Sequence, residues 1–135
     1  MSKPKRKPIL NAYLPPQFRQ IRIALAREPG HPEGDDETAY IFVAPVDTKG
    51  RIDPKLWQAH REACRVTRQR PNEADQLGYL LHHSGAWRFH YDDDASLPDE
   101  AGFHFGEERF AVGEYVSISE RGKMHTYRVT TISHL

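Results

Sequence analysis

Residues 113–129 read Gly113-Glu114-Tyr115-Val116-Ser117-Ile118-Ser119-Glu120-Arg121-Gly122-Lys123-Met124-His125-Thr126-Tyr127-Arg128-Val129, two alternating runs with one glycine between them. Val116 and Ile118 alternate with serines, and Tyr127 and Val129 flank Arg128, which is the two-residue period of half-buried strands. A two-residue turn at Gly122-Lys123, with glycine at the first central position as a type II′ turn requires, predicts Ile118 opposite Tyr127 and Val116 opposite Val129. A β-hairpin therefore anchors the C-terminal part of the chain.

Working outward from it, the same period recurs. Trp87, Phe89 and Tyr91 alternate with Arg88 and His90, and a turn centred on Gly85 pairs them with Tyr79 and Leu81, leaving His82, Arg88 and His90 on the other face. Ile21, Ile23 and Leu25 alternate within a further strand, Tyr40 to Val46 is a denser apolar run, and Cys64 to Arg70 forms a short strand ended by Pro71. A single helix signal breaks the pattern: Asp53 as cap, Pro54 at the first helical position, and Leu56, Ala59 and Ala63 at helical spacing predict a helix over about 54–62. The expected fold is α+β and mainly antiparallel β, with six or seven short strands forming a sheet or a small barrel beside one short helix.

The 135 residues suffice for one domain with its own core, here placed at residues 18–135 behind a flexible basic arm over residues 1–17. No apolar run approaches the roughly twenty residues of a membrane span, which excludes a transmembrane helix. The N-terminus lacks the apolar segment of a secretory signal, and the single cysteine, Cys64, allows no internal disulfide, so a cytoplasmic location is expected. The formal net charge of zero hides a split: residues 1–27 carry 7 basic and no acidic side chains, while the remainder carries 12 basic against 19 acidic.

Several phrases resemble a group of small bacterial proteins without an assigned function: His31-Pro32-Glu33-Gly34, Phe42-Val43-Ala44-Pro45, Gly50-Arg51-Ile52-Asp53, Trp57-Gln58-Ala59-His60-Arg61 and Gly113-Glu114-Tyr115-Val116-Ser117-Ile118. That resemblance implies no activity and no functional residues. Residues 109–132 are also similar to the closing strands of barrels in the PUA and ASCH group, several of which bind RNA, and this implies a small barrel.

Among motifs with chemistry, the sequence holds no Walker glycine loop, dinucleotide fingerprint, nucleophile elbow, His-Glu-x-x-His or Cys-x-x-Cys. On the hairpin register above, His82 and His90 would be diagonal neighbours able to share a metal ion with Asp92 to Asp94, although Arg88 on that face opposes a cation. Solvent-facing polar residues are the better account of them, and no metal or other cofactor is assigned. Cys64 reads as a small buried hydrophobe rather than a nucleophile. Two basic clusters stand out, Lys3, Lys5, Arg6 and Lys7 in the arm and Arg61, Arg65, Arg68 and Arg70 farther on, and phosphate backbones reward such clusters through counterion release. The expectation is a non-enzymatic binding or accessory domain contacting nucleic acid or another polyanion through these eight side chains. The alternatives are a small-molecule binder or unrecognised enzyme with a pocket near Trp87, His82 and His90, and a protein-interaction module offering a sheet edge.

Overall fold

A computed structural model describes residues 14–92 and 97–135. Eight antiparallel strands follow one another in chain order: β1 (Phe18–Leu25), β2 (Asp35–Pro45), β3 (Arg65–Gln69), β4 (Gln76–His83), β5 (Ala86–Tyr91), β6 (Glu100–Phe103), β7 (Tyr115–Glu120) and β8 (Lys123–His134). Each pairs with the next, and β8 pairs with β1, so the sheet closes into a barrel. Between β2 and β3 lie the helix α1 (Pro54–Ala59) and a 3-10 turn (Arg61–Ala63). The sequence reading thus has the right class, with two refinements. The sheet is closed, and β6 is the strand it omits. Four residues with a glycine and a buried glutamate offer no alternation to read.

The helix begins where expected because the Asp53 carboxylate accepts the amides of Lys55 (2.9 Å) and Leu56 (3.2 Å), and Pro54 needs no partner for a missing N–H. It ends at Ala59, short of residue 62, where the chain tightens into the 3-10 turn. Trp57 is its buried residue, donating its indole N–H to Leu80 O at 2.8 Å, whereas Ala59 faces outward.

Both hairpin turns differ from expectation in register. In β7–β8 the central turn residues are Arg121 and Gly122, both left-handed with φ of 51° and 78°, which is a type I′ turn. Ile118 then faces His125 and Val116 faces Tyr127 rather than Val129. The shift is by two residues, so each side chain keeps its expected face. In β4–β5 the turn is Ser84-Gly85, again with φ of 51° and 78°, and Leu80 pairs with Phe89 and His82 with Trp87. This one-residue change turns β4 over: Gly78, Leu80 and His82 point inward, and Tyr79 lies opposite His90 on the outside. Gly78 shows why, since a Cβ there would come within 1.9 Å of His90 O.

Inside the barrel, Phe42 packs against Phe89, Phe105 and Phe110 with ring centroids 5.3, 6.3 and 5.8 Å away. Ile21, Ile23, Val66, Leu80, Ile118 and Val129 fill the remaining space. Because the strands alternate in direction, the β1–β2, β3–β4, β5–β6 and β7–β8 connections ring one mouth. The other connections, with α1, Leu14 and Leu135, surround the opposite mouth.

Candidate functional site

Three places concentrate polar or aromatic chemistry. The first is the mouth ringed by the β3–β4 and β7–β8 turns, where Arg68 and Arg70 point inward from the end of β3. Glu100, only 2% exposed, accepts hydrogen bonds from Tyr40 (2.8 Å) and Tyr91 (2.6 Å) at Oε1 and from the Arg68 Nε at 3.1 Å on Oε2. Arg70 Nη2 donates to Glu120 at 2.6 Å and to the hydroxyls of Tyr40 and Tyr127, both at 3.1 Å, while Tyr127 donates to Glu120 Oε2 at 2.6 Å. Two cations, two carboxylates and three phenols therefore satisfy one another. Burial drives the phenols of Tyr40, Tyr91 and Tyr127 well above their ordinary range, and the neighbouring carboxylates reinforce the effect. Burial alone would lower the arginines, but Glu100 holds Arg68 above its usual value, and the surrounding phenols and Glu120 hold Arg70 above its own.

The basic cluster read from residues 61–70 is accordingly not one surface. Arg61 is exposed and Arg65 is half-buried with its Nε lacking a hydrogen-bond partner among the described residues, whereas the side chains of Arg68 and Arg70 are 12% and 9% exposed. Alternation in β3 places residues 66 and 68 inside, a parity that Arg70 continues. Lys3, Lys5, Arg6 and Lys7 lie outside the described residues, as do Asp93 and Asp94.

A second place is the opposite mouth, around the segment that leads into β1. Gln17 O accepts the Val46 amide at 3.0 Å, and the Phe18 ring meets the His60 ring edge-on at 5.5 Å, tying residues 14–18 to the β2–α1 loop and to the 3-10 turn. Lys49, Arg51 and Lys55 on that loop and helix, and Arg61 on the turn, are exposed, and Arg19 is half-exposed beside them. Among the described residues none of the five has a carboxylate within 4.0 Å. The acids nearest in sequence are engaged otherwise: Asp47 accepts the amides of Arg51 (3.0 Å) and Lys49 (2.8 Å), which holds its carboxyl below the usual range, and Asp53 caps α1. Position-by-position reading overlooks Lys49, Arg51 and Lys55, because they are spaced singly among Asp47 and Asp53 rather than clustered.

The chain matches no family model, no curated protein and no solved structure.

The third place is a recess of about 360 Å³ beside Trp87, lined by Gly85, Ala86, Gly102, Phe105, Gly106 and Glu107 among others. Behind the indole stands His82, with ring centroids 4.2 Å apart, its imidazole lowered in pKa by burial and by His83. His90 is on the outer face, half-exposed and 2.7 Å from Asp99. The two histidines are thus on opposite faces, which removes the shared metal position, and among the described residues no group of three or more metal-ligating side chains converges. Cys64 is fully buried and burial pushes its thiol up to about 12, which is inert sulfur rather than a nucleophile. No helix among the described residues is long and apolar enough to cross a membrane.

Proposed function

We infer that this protein is a non-enzymatic binding module that recognises polyanions, single-stranded nucleic acid foremost, at the barrel mouth where residues 14–18 join β1. The supporting observation is the set Arg19, Lys49, Arg51, Lys55 and Arg61, none of which has a carboxylate within 4.0 Å among the described residues, Asp47 attracting Lys49 and Arg51 only at longer range. Lys3, Lys5, Arg6 and Lys7 precede that mouth in sequence and add to the same sign. Phosphate contacts of this kind supply affinity without sequence readout and weaken with salt. The likeness of residues 109–132 to PUA and ASCH closing strands points the same way. Arg68 and Arg70 are not part of this surface, being held by Glu100 and Glu120. Strand addition at a sheet edge loses its basis, since β8 covers β1.

The test is a fluorescence titration of labelled single-stranded RNA and DNA at low and near-physiological salt. Three proteins are compared: the full chain, a form lacking residues 1–13, and the triple variant Lys49→Ala, Arg51→Ala, Lys55→Ala. Salt-sensitive binding that both changes weaken is expected, with the slope of log K against log salt reduced by roughly 0.7 for each phosphate that is no longer neutralised. Absence of binding at low salt would overturn the reading.

A further inference from the structure

We propose that the recess beside Trp87 is a small-molecule site for a neutral, flat heterocycle or amide that accepts a hydrogen bond from the Trp87 indole. The two tryptophans of the chain differ in one respect. Trp57 donates its N–H to Leu80 O at 2.8 Å, whereas the Trp87 N–H meets no acceptor among the described residues although the side chain is only 2% exposed. Arg65 Nε, and not this group, is the sealed side-chain nitrogen without a partner among the described residues, so the Trp87 N–H keeps a path to solvent. What lies beside it is open space. Gly106 lines the recess, and a Cβ on Gly106 would stand 3.6 Å from Trp87 Nε1, so the absence of a side chain there leaves room at the donor.

The lining sets the class of ligand. Gly85 and Gly106 leave flat backbone open, the Phe105 ring covers Gly102 at the back of the recess, and Ala86 adds apolar surface, which suits a planar ring. Among the described residues no lysine or arginine lines the recess, and its His104 is already paired with Glu107 at 3.3 Å, so an anion meets a carboxylate and no unanswered cation. Trp87 is held rigidly by His82 on one side and by Trp57, edge-on at 5.5 Å, on another, so the donor is fixed in direction before any ligand arrives. A volume of about 360 Å³ admits a single ring system of ordinary size. This site stands apart from the basic mouth surface, and each can fail without the other.

The test is nitrogen–proton correlation NMR of the two indole N–H signals during titration with uracil, nicotinamide and benzoate. The comparison variant is Gly106→Ala, whose methyl sits at ordinary contact distance from Trp87 Nε1 and at a position without left-handed backbone, so the fold is kept. That variant also identifies the Trp87 signal, since it alone lies beside the new methyl. Saturable displacement of the Trp87 signal by uracil or nicotinamide is expected, together with little response to benzoate and loss of the response in Gly106→Ala. No movement with either neutral probe, an equal response to benzoate, or a response that survives in the variant would overturn the proposal.

Discussion

Glu100 is a buried carboxylate that accepts from two phenols and a guanidinium, and these surroundings make it costly to alter. Removing its charge as Glu100→Gln leaves Arg68 without its nearest counter-charge in a largely dry site, for which a loss of about 3–5 kcal/mol in unfolding free energy is expected. Chemical denaturation of the variant beside the parent measures it. The phenols around it give a pH signature. Tyr40, Tyr91 and Tyr127 titrate above the ordinary phenol value of 10.0 in the folded protein and near it when unfolded, so above pH 10 the unfolded chain releases protons that the folded one keeps. Stability contributed by their protonated forms is complete below pH 10 and is lost as pH rises beyond it, by up to about 1.4 kcal/mol per pH unit for each phenol. A Tm series from pH 8 to 11 should show a plateau and then a decline, with a shallower decline in Tyr91→Phe. None of this is legible in the sequence, because the cluster draws side chains from β2, β3, β5, β6, β7 and β8 and exists only once the barrel closes. Cys64 is the opposite case, since its isolation and the apolar context already mark it as a core residue.

At the scale of elements, alternation carries most of the information, and its failures have physical causes. In β8 the buried residues Tyr127 and Val129 fall on one parity, so a register error of two residues keeps each on its face. In β4, Leu77, Tyr79 and Leu81 compete with Leu80, and only the inward demand for a side chain as small as Gly78 breaks the tie. Both turns accept a non-glycine residue, Ser84 or Arg121, in left-handed conformation ahead of the glycine, which places each glycine second rather than first. The helix is readable from its cap alone. Asp53→Ala removes the acceptor for two amides and should cost about 1 kcal/mol. Since α1 is only six residues long and carries Trp57 into the core, the loss should surface as faster amide exchange through α1 and a change in Trp57 emission.

For the whole molecule, closure is the property on which the separate sites depend. The strands β1 and β8 meet along seven pairs, from Arg19 with His134 to Leu25 with Tyr127, so the barrel is complete only when these two strands are joined. Such a pairing is maximally non-local and forms against the full loop-closure entropy of the chain. It also keeps Arg19 and Phe18 beside Val46 and His60, which places half-exposed Arg19 at the same mouth as the exposed Lys49, Arg51, Lys55 and Arg61. Deleting residues 131–135 takes Ile132 and His134 from their places opposite Ile21 and Arg19, uncovering the amides and carbonyls at the start of β1. The expected result is a lower Tm and concentration-dependent self-association through the exposed β1 edge, read by thermal unfolding and light scattering. The same deletion leaves Trp87 and Gly106 on the far wall of the barrel, in β5 and in the segment after β6, and removes none of the residues that line the recess. If the shortened chain still folds, nicotinamide should therefore still displace the Trp87 indole signal while binding to single-stranded RNA weakens. Parallel loss of both would instead mean that closure supports the two surfaces as one cooperative unit.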